Sequence, residues 1–267
     1  MRDDLGDRMK LYEDVYNYKI TNRIPVIIRI DGKAFHTWTR KTKCIKPFDE
    51  QLVELMANTT KFLCENISGC VFGYCQSDEI SLCLINSQTN QTQSWFDNRL
   101  QKIVSVSSSI ATYYFNANNI FENKIPAFFD SRAFLIPCNE VINYFIWRQN
   151  DASRNSISSL AQSLYSHKEL QNKNSDEKQE MCFQKGINWN DLPISFKRGV
   201  CVYKKQSDEP LVNKITKEIT FRKKFIVDYN VEIFKYDENC ILSKILTENG
   251  IGFNKKVKSL KEIFGEE

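Results

Sequence analysis

The feature that most constrains the fold is an ordered series of hydrophobic runs with acids at the turns between them. Residues 24–30 form a β-branched run that stops at Asp31-Gly32, the pattern of a buried strand meeting a turn. From Asp49, a candidate N-cap, the apolar residues Leu52, Leu55, Met56, Phe62 and Leu63 recur at helical spacing. Two strand-like runs follow, 70–75 and 80–85, and the Gln76-Ser77-Asp78-Glu79 segment between them predicts a hairpin. A second helical stretch over roughly 97–118 and a strand from Phe128 to Ile136 complete the order β-α-β-β-α-β.

This is the ferredoxin-like, split β-α-β order, so an α+β fold is expected. A right-handed crossover makes the first two strands parallel, and the third lies between them, antiparallel to both. The carboxyl end of the first strand then meets the amino end of the third. Asp31 and the Asp78-Glu79 pair should therefore converge although they are distant in sequence. Asp and Gly are also ordinary turn formers, and either turn alone would carry no chemistry. What favours a site is that the topology brings both turns to one edge.

Beyond this core, Val141 to Ser166 predicts a long helix broken up by polar residues, 171–180 a solvated loop, and 199–204 with 218–227 the strands of an accessory hairpin. A short Lys-rich helical region is expected over about 241–264. The division that follows is a catalytic core with its N-terminal segment over 1–137, and a helical and β-hairpin accessory region over 138–267 packed on it.

Composition narrows the class. With 267 residues, 42% of them hydrophobic and 12% aromatic, the chain can bury a real core. No run approaches the roughly 20 apolar residues of a membrane span. The first seven residues hold three acids and no apolar stretch, unlike a secretory signal or transit peptide, so the cytoplasm is the default location, with mitochondrial import left open. Nine cysteines form no C-x-x-C pair and the only histidines are His36 and His167, which favours reduced, mostly buried thiols over a zinc site. Net charge is +4. Residues 197–224 concentrate Lys197, Arg198, Lys204, Lys205, Lys214, Lys217, Arg222, Lys223 and Lys224 against Asp208, Glu209 and Glu218, which reads as a solvated basic face or as a contact for a polyanion such as RNA.

Converging carboxylates suit phosphoryl or nucleotidyl transfer, where metal ions neutralise developing charge and align the attacking and leaving oxygens. Mg²⁺ takes hard oxygen ligands and is satisfied by one or two carboxylates plus substrate phosphates. Asp31 and Asp78 would supply them, and two ions about 3.5–4 Å apart would clamp the transferred phosphorus.

Five blocks carry a family resemblance: Arg29-Ile30-Asp31-Gly32-Lys33-Ala34-Phe35-His36, Ile45-Lys46-Pro47-Phe48-Asp49, Tyr74-Cys75-Gln76-Ser77-Asp78-Glu79, Phe129-Asp130-Ser131-Arg132 and Trp147-Arg148-Gln149-Asn150-Asp151. Over about 5–170 they resemble the tRNA(His) guanylyltransferase family of 3′-to-5′ polymerases. The resemblance implies a polymerase-like palm, a homotetramer, two Mg²⁺ ions, ATP or GTP as the activating nucleotide, and addition of nucleoside triphosphates to the 5′ end of tRNA. It implies that Asp31 and Asp78 bind both metals, that the Gly32 carbonyl assists, and that Glu79 supports the site. The backbone of Lys33, Ala34, Phe35 and His36 would cradle a triphosphate. His36 and Asp49 would line the base of the activating nucleotide, and Lys46, Ser77, Arg99 and Lys102 would hold the incoming triphosphate. Arg99 and Lys102, three apart, share a helical face whether they meet a phosphate chain or only solvent. RNA contacts are expected from Arg154, Asn155, His167 and Lys168, and from Arg198, Lys204, Lys205, Arg222 and Lys223 in the basic run.

The chain departs from the enzymes dedicated to tRNA(His) at one place. Where the family has His-Ile-Asn-Asn-Leu-Tyr-Asn after the Trp-Arg-Gln block, this sequence has 153–159 with Ser153 for the histidine and Ser158 for the tyrosine. That pattern resembles the branch that repairs shortened tRNA 5′ ends against the opposite strand as template. Other readings are a dedicated tRNA(His) guanylyltransferase, a nucleotide cyclase sharing the palm, and an RNA-binding module with an idle palm; intact Asp31, Asp78 and Glu79 speak against the last.

Overall fold

The computed structural model describes residues 4–87, 91–212 and 219–245. Helix α1 (Asp4–Asp14) precedes strand β1 (Val26–Gly32), a short α2 (Phe35–Lys41) and α3 (Glu50–Asn66). Strands β2 (Cys70–Gln76) and β3 (Glu79–Leu84) form the hairpin, followed by α4 (Leu100–Ala117) and β4 (Phe129–Leu135). The sheet order is β4-β1-β3-β2-β5-β6, with β3 antiparallel to both neighbours and β4 antiparallel to β1. The expected split β-α-β core is therefore present, with its third strand between the first two.

Local sequence explains the main elements. Asp49 caps α3 as expected, its Oδ1 accepting from Gln51 N at 3.0 Å and Leu52 N at 3.2 Å. Along β1 the side chains alternate between two cores, one on each face of the sheet. Ile28 and Ile30 pack with Leu55, Met56 and Phe115 from α3 and α4. Ile27 packs on the other face, with Phe72, Tyr74 and Phe145.

Several expectations are corrected. The helix from Val141 is unbroken, α5 (Val141–Leu164): the polar residues on its packed face are partnered, Gln149 donating to the Glu232 carbonyl at 2.8 Å and Ser156 accepting from Trp189 Nε1 at 3.0 Å, while Asn150, Arg154, Asn155 and Gln162 lie on its exposed face. After α6 (His167–Leu170), the segment expected as a loop over 171–180 carries α7 (Ser175–Gln184). A capping box starts it, with Asn174 Oδ1 accepting from Glu177 N and Glu177 Oε2 from Asn174 N, while Cys182 is buried against α5. Helix α4 begins at Leu100 rather than near 97, since Phe96, Asp97 and Asn98 all adopt left-handed φ values of 51, 53 and 56°.

Past α8 (Ile194–Arg198), β5 (Val200–Val212) outruns its expected strand, β6 (Ile219–Asp228) matches its own to within a residue, and β5 pairs directly with β2. The accessory hairpin thus extends the core sheet, across the boundary expected at 137/138. Of the Lys-rich tail, α9 (Glu238–Ile245) is described, and 246–267 lies outside the described residues. No helix among the described residues is long and apolar enough to cross a membrane.

Candidate active site

Strand register delivers the acids to one end of the sheet. Asp31 lies opposite Glu79 in the β1/β3 ladder and opposite Asp130 in the β1/β4 ladder. Directly opposed residues share a face with Cβ atoms about 5 Å apart, so Asp130, Asp31 and Glu79 form a row. The β2/β3 turn adds Asp78, whose carbonyl accepts from Gly32 N at 3.1 Å. The convergence expected from topology is present.

The four acids are not equivalent. Arginines engage two: Arg132 Nη2 lies 3.1 Å from Asp130 Oδ1, and Arg148 grips Glu79 through Nε to Oε1 and Nη2 to Oε2, both at 2.7 Å. Asp78 has no cationic partner among the described residues: its carboxyl accepts from the Ser77 hydroxyl at 3.0 Å and from its own backbone amide. Burial pushes its carboxyl up to about 6, and the charge of Asp31 pushes in the same direction. Burial also raises Glu79, against the pull of the Arg148 charge.

A carboxylate raised by burial and a neighbouring carboxylate is relieved by a divalent cation. Asp31, Asp78 and the Gly32 carbonyl are hard oxygen donors that fit Mg²⁺. Among the described residues no group of three or more His, Cys, Asp or Glu side chains forms a cation site by itself, so the substrate's phosphates would complete the coordination.

Gly32 is required here for a packing reason. A Cβ would lie 2.2 Å from the Phe35 ring, which is stacked on Trp38 beneath the site. Ala34 takes a left-handed φ of 54° and turns the chain into α2, while Lys33 N donates to the Phe128 carbonyl at 2.8 Å. The first-turn amides of α2, at Phe35 and His36, have no partner within the helix and suit a triphosphate cradle. Phe35 itself is buried, and the side chains of Lys33 and His36 are exposed.

Lys46, Asp49 and Ser77 belong to the same end of the sheet. The Asp49 carboxylate, however, is buried and committed to Ile45 N, Gln51 N and Leu52 N. It shapes the edge of a cavity of about 670 Å³ with Thr42, Phe48, Phe121 and Phe196.

Two expected site residues lie elsewhere. Helix α4 runs antiparallel to β4, with the Ser107 and Ser131 hydroxyls 2.8 Å apart and Asn116 Nδ2 donating to the Ala127 carbonyl at 2.8 Å. Asp31, opposite Asp130 on β4, is therefore level with the middle of α4, and Arg99 and Lys102, at the amino end of that helix, belong to the element covering the Ile28 and Ile30 face of the sheet rather than the face of the Asp31 side chain. Arg99 Nε is buried without a hydrogen-bond partner among the described residues. Among the described residues neither side chain is paired with Asp31, Asp78 or Glu79.

The RNA-contact candidates fall on separate surfaces. Arg154 and Asn155 are exposed on α5 and both donate to Asp151; His167 and Lys168 are exposed on α6. Arg198 ends α8, half-buried, its carbonyl accepting from the Tyr74 hydroxyl. Lys204, Lys205, Arg222 and Lys223 are exposed on the β5/β6 hairpin, which runs away from the acids. Lys197 leaves the basic run, because it is buried with its ammonium on the Asn190 carbonyl. Lys214 and Lys217 lie outside the described residues. Ser153 donates to the Lys197 carbonyl at 3.0 Å and Ser158 accepts from Lys178 at 3.2 Å, so both face packed neighbours.

Sequence reasoning missed Arg148. It stands in the quoted Trp147-Arg148-Gln149 block, but nothing local shows that it reaches Glu79, 69 residues away.

The family model described as tRNAHis guanylyltransferase matches residues 6–137. A bacterial tRNA(His) guanylyltransferase-like protein in complex with ATP is 44% identical, with a TM-score of 0.81, covering 91% of this chain and 99% of that one. A bacterial structure of the same description in complex with GTP is 43% identical, with a TM-score of 0.77, covering 92% and 100%. A probable tRNA(His) guanylyltransferase of Dictyostelium discoideum is 29% identical over 242 residues, which is 82% of this chain and 91% of that protein.

Proposed function

Because the chain belongs to the tRNA(His) guanylyltransferase family, nucleotidyltransferases that add nucleotides to the tRNA 5′ end, we propose that it is a template-dependent 3′-to-5′ nucleotidyltransferase restoring truncated tRNA 5′ ends. The observation that carries the reaction class is the meeting of Asp31 with Asp78 at one end of the sheet. Asp31, Asp78 and the Gly32 carbonyl would hold Mg²⁺, which when bound would supply charge neutralisation at the transferred phosphorus. The α2 amides and Lys46 hold phosphates, and the cavity beside Asp49 accepts a base. A 5′-monophosphate is first joined to the nucleotide of ATP or GTP with release of pyrophosphate. The 3′-hydroxyl of the incoming nucleoside triphosphate then attacks that 5′ phosphorus, expelling the activating nucleotide as its monophosphate. A 5′-triphosphate end skips the first step.

Repair rather than guanylylation of one tRNA is supported by Ser153 and Ser158. An exposed aromatic stacking on an unpaired base contributes about 1–3 kcal/mol. Here both positions carry hydroxyls turned into contacts with α8 and α7. Base pairing then selects the nucleotide. The test varies the template base opposite the missing nucleotide: the complementary base is expected each time, and guanosine added regardless, or only to tRNA(His), would establish the dedicated enzyme instead.

A homotetramer follows from the same reading. Arg99 and Lys102 begin the helix that covers the face of the sheet opposite Asp31, and a second copy would present such cations to the acids. Helix α1 buries no residue and exposes Leu5, Leu11 and Tyr12, as a protomer surface awaiting a neighbour would.

A further inference from the structure

We propose that Arg148 is a positioning residue of this site: its grip on Glu79 fixes the edge of the carboxylate row and keeps Glu79 out of the cation's coordination. The inference rests on the nucleotidyltransferase reading and adds a division of labour among the acids.

Glu79 stands opposite Asp31, close enough for a swing of its side chain to add a third carboxylate to the Asp31–Asp78 pair. Arg148 prevents the swing. Both Glu79 oxygens are taken by the guanidinium fork at 2.7 Å, and the Ser81 hydroxyl adds a longer contact to Oε1 at 3.4 Å. Such a fork fixes the carboxylate plane as well as its charge.

Arg148 is itself immobilised. Its Nη2 also donates to Asp151 Oδ2 at 2.9 Å, the Trp147 ring centroid lies 4.4 Å from its guanidinium carbon, and its side chain is only 6% exposed. Asp151 in turn accepts from the exposed Arg154. The acids on the sheet edge are thus braced against α5 by a chain of charges, Glu79–Arg148–Asp151–Arg154. Deleting one partner of a buried pair leaves an uncompensated charge, so the test keeps the charge and removes the fork.

Arg148→Lys, Glu79→Gln and the double variant are compared with wild type by Mn²⁺ titration without RNA, by kcat and nucleotide KM on a 5′-truncated tRNA, and by melting. In Arg148→Lys, Glu79 is freed to ligate. Mn²⁺ should then bind about threefold or more tighter, while kcat falls about tenfold or more with KM little changed. The double variant should return Mn²⁺ affinity to the wild-type value and show no lower kcat than Glu79→Gln alone. Unchanged or weaker Mn²⁺ binding in Arg148→Lys, or multiplied kcat losses in the double variant, overturns the proposal. If Arg148→Lys does not fold, Glu79→Gln/Arg148→Gln replaces it: a kcat equal to that of Glu79→Gln supports the proposal and a further loss overturns it. Should wild type add no nucleotide to RNA, the functional reading fails while the Mn²⁺ comparison still decides this one.

Discussion

Asp78 carries a liability that the proposed cation site would explain. Its folded pKa, about 6 against an ordinary 3.8, means the folded state holds a proton that the unfolded chain has released between those values. Stability therefore falls as pH rises through that window, and the full penalty, on the order of 3 kcal/mol, is present above about pH 6. Asp78→Asn should melt no lower than wild type at pH 7.5 without divalent ions, and should lose the rise in melting temperature that Mg²⁺ gives wild type. A variant that melts well below wild type at that pH would show the carboxylate to be structural. Asp49 behaves oppositely. Its buried carboxylate holds three backbone amides, so Asp49→Ala should destabilise the protein by about 2 kcal/mol in denaturant titrations, metal present or not. The acid at each position could be read from sequence, whereas their opposite energetic roles depend on what surrounds each one.

Elements were legible where one apolar face repeats and illegible where partners stand in for it. The β1 run and the α3 stripe pack with their apolar residues inward. Helix α7 is almost wholly polar and is held by its capping box and by α5, so no periodicity marks it. The start of α4 was misplaced because three consecutive left-handed residues, none of them glycine, are held by long-range bonds such as Asn98 Nδ2 to Asn22 Oδ1 at 2.8 Å. At the α8/β5 junction, Gly199 has φ 74° and a Cβ there would lie 2.4 Å from the Cys75 carbonyl oxygen. Gly199→Ala should therefore disturb the β2/β5 pairing and destabilise by about 2 kcal/mol, measured by chemical denaturation. A variant as stable as wild type would mean the junction relaxes freely.

At the scale of the whole molecule, the acids sit at one end of the sheet, and the β5/β6 hairpin that carries Lys204, Lys205, Arg222 and Lys223 runs away from them. If sites form between copies, mixing inactive Asp31→Ala chains with inactive Arg99→Ala/Lys102→Ala chains should restore activity, to about a quarter of wild type for random pairing of equal amounts. Activity no higher than either variant alone would place Arg99 and Lys102 in the same site as the acids of their own chain. For the hairpin, replacing Lys204, Lys205, Arg222 and Lys223 with Glu should weaken tRNA binding and flatten its salt dependence without changing which base is added. Unaltered affinity would return these residues to the role of a solvated face.

The order of runs and turns determined the palm-like topology, and with it the meeting of Asp31 and Asp78, because strand pairing rules leave few ways to arrange β-α-β-β-α-β. The blocks around those acids were enough to identify the family. Only the tertiary structure decided that Arg148 closes on Glu79, and that α4, which Arg99 and Lys102 begin, covers the face of the sheet opposite the Asp31 side chain. Those outcomes depend on helix direction and on contacts between residues far apart in sequence, and a side chain's partner across such a distance leaves no local pattern to read.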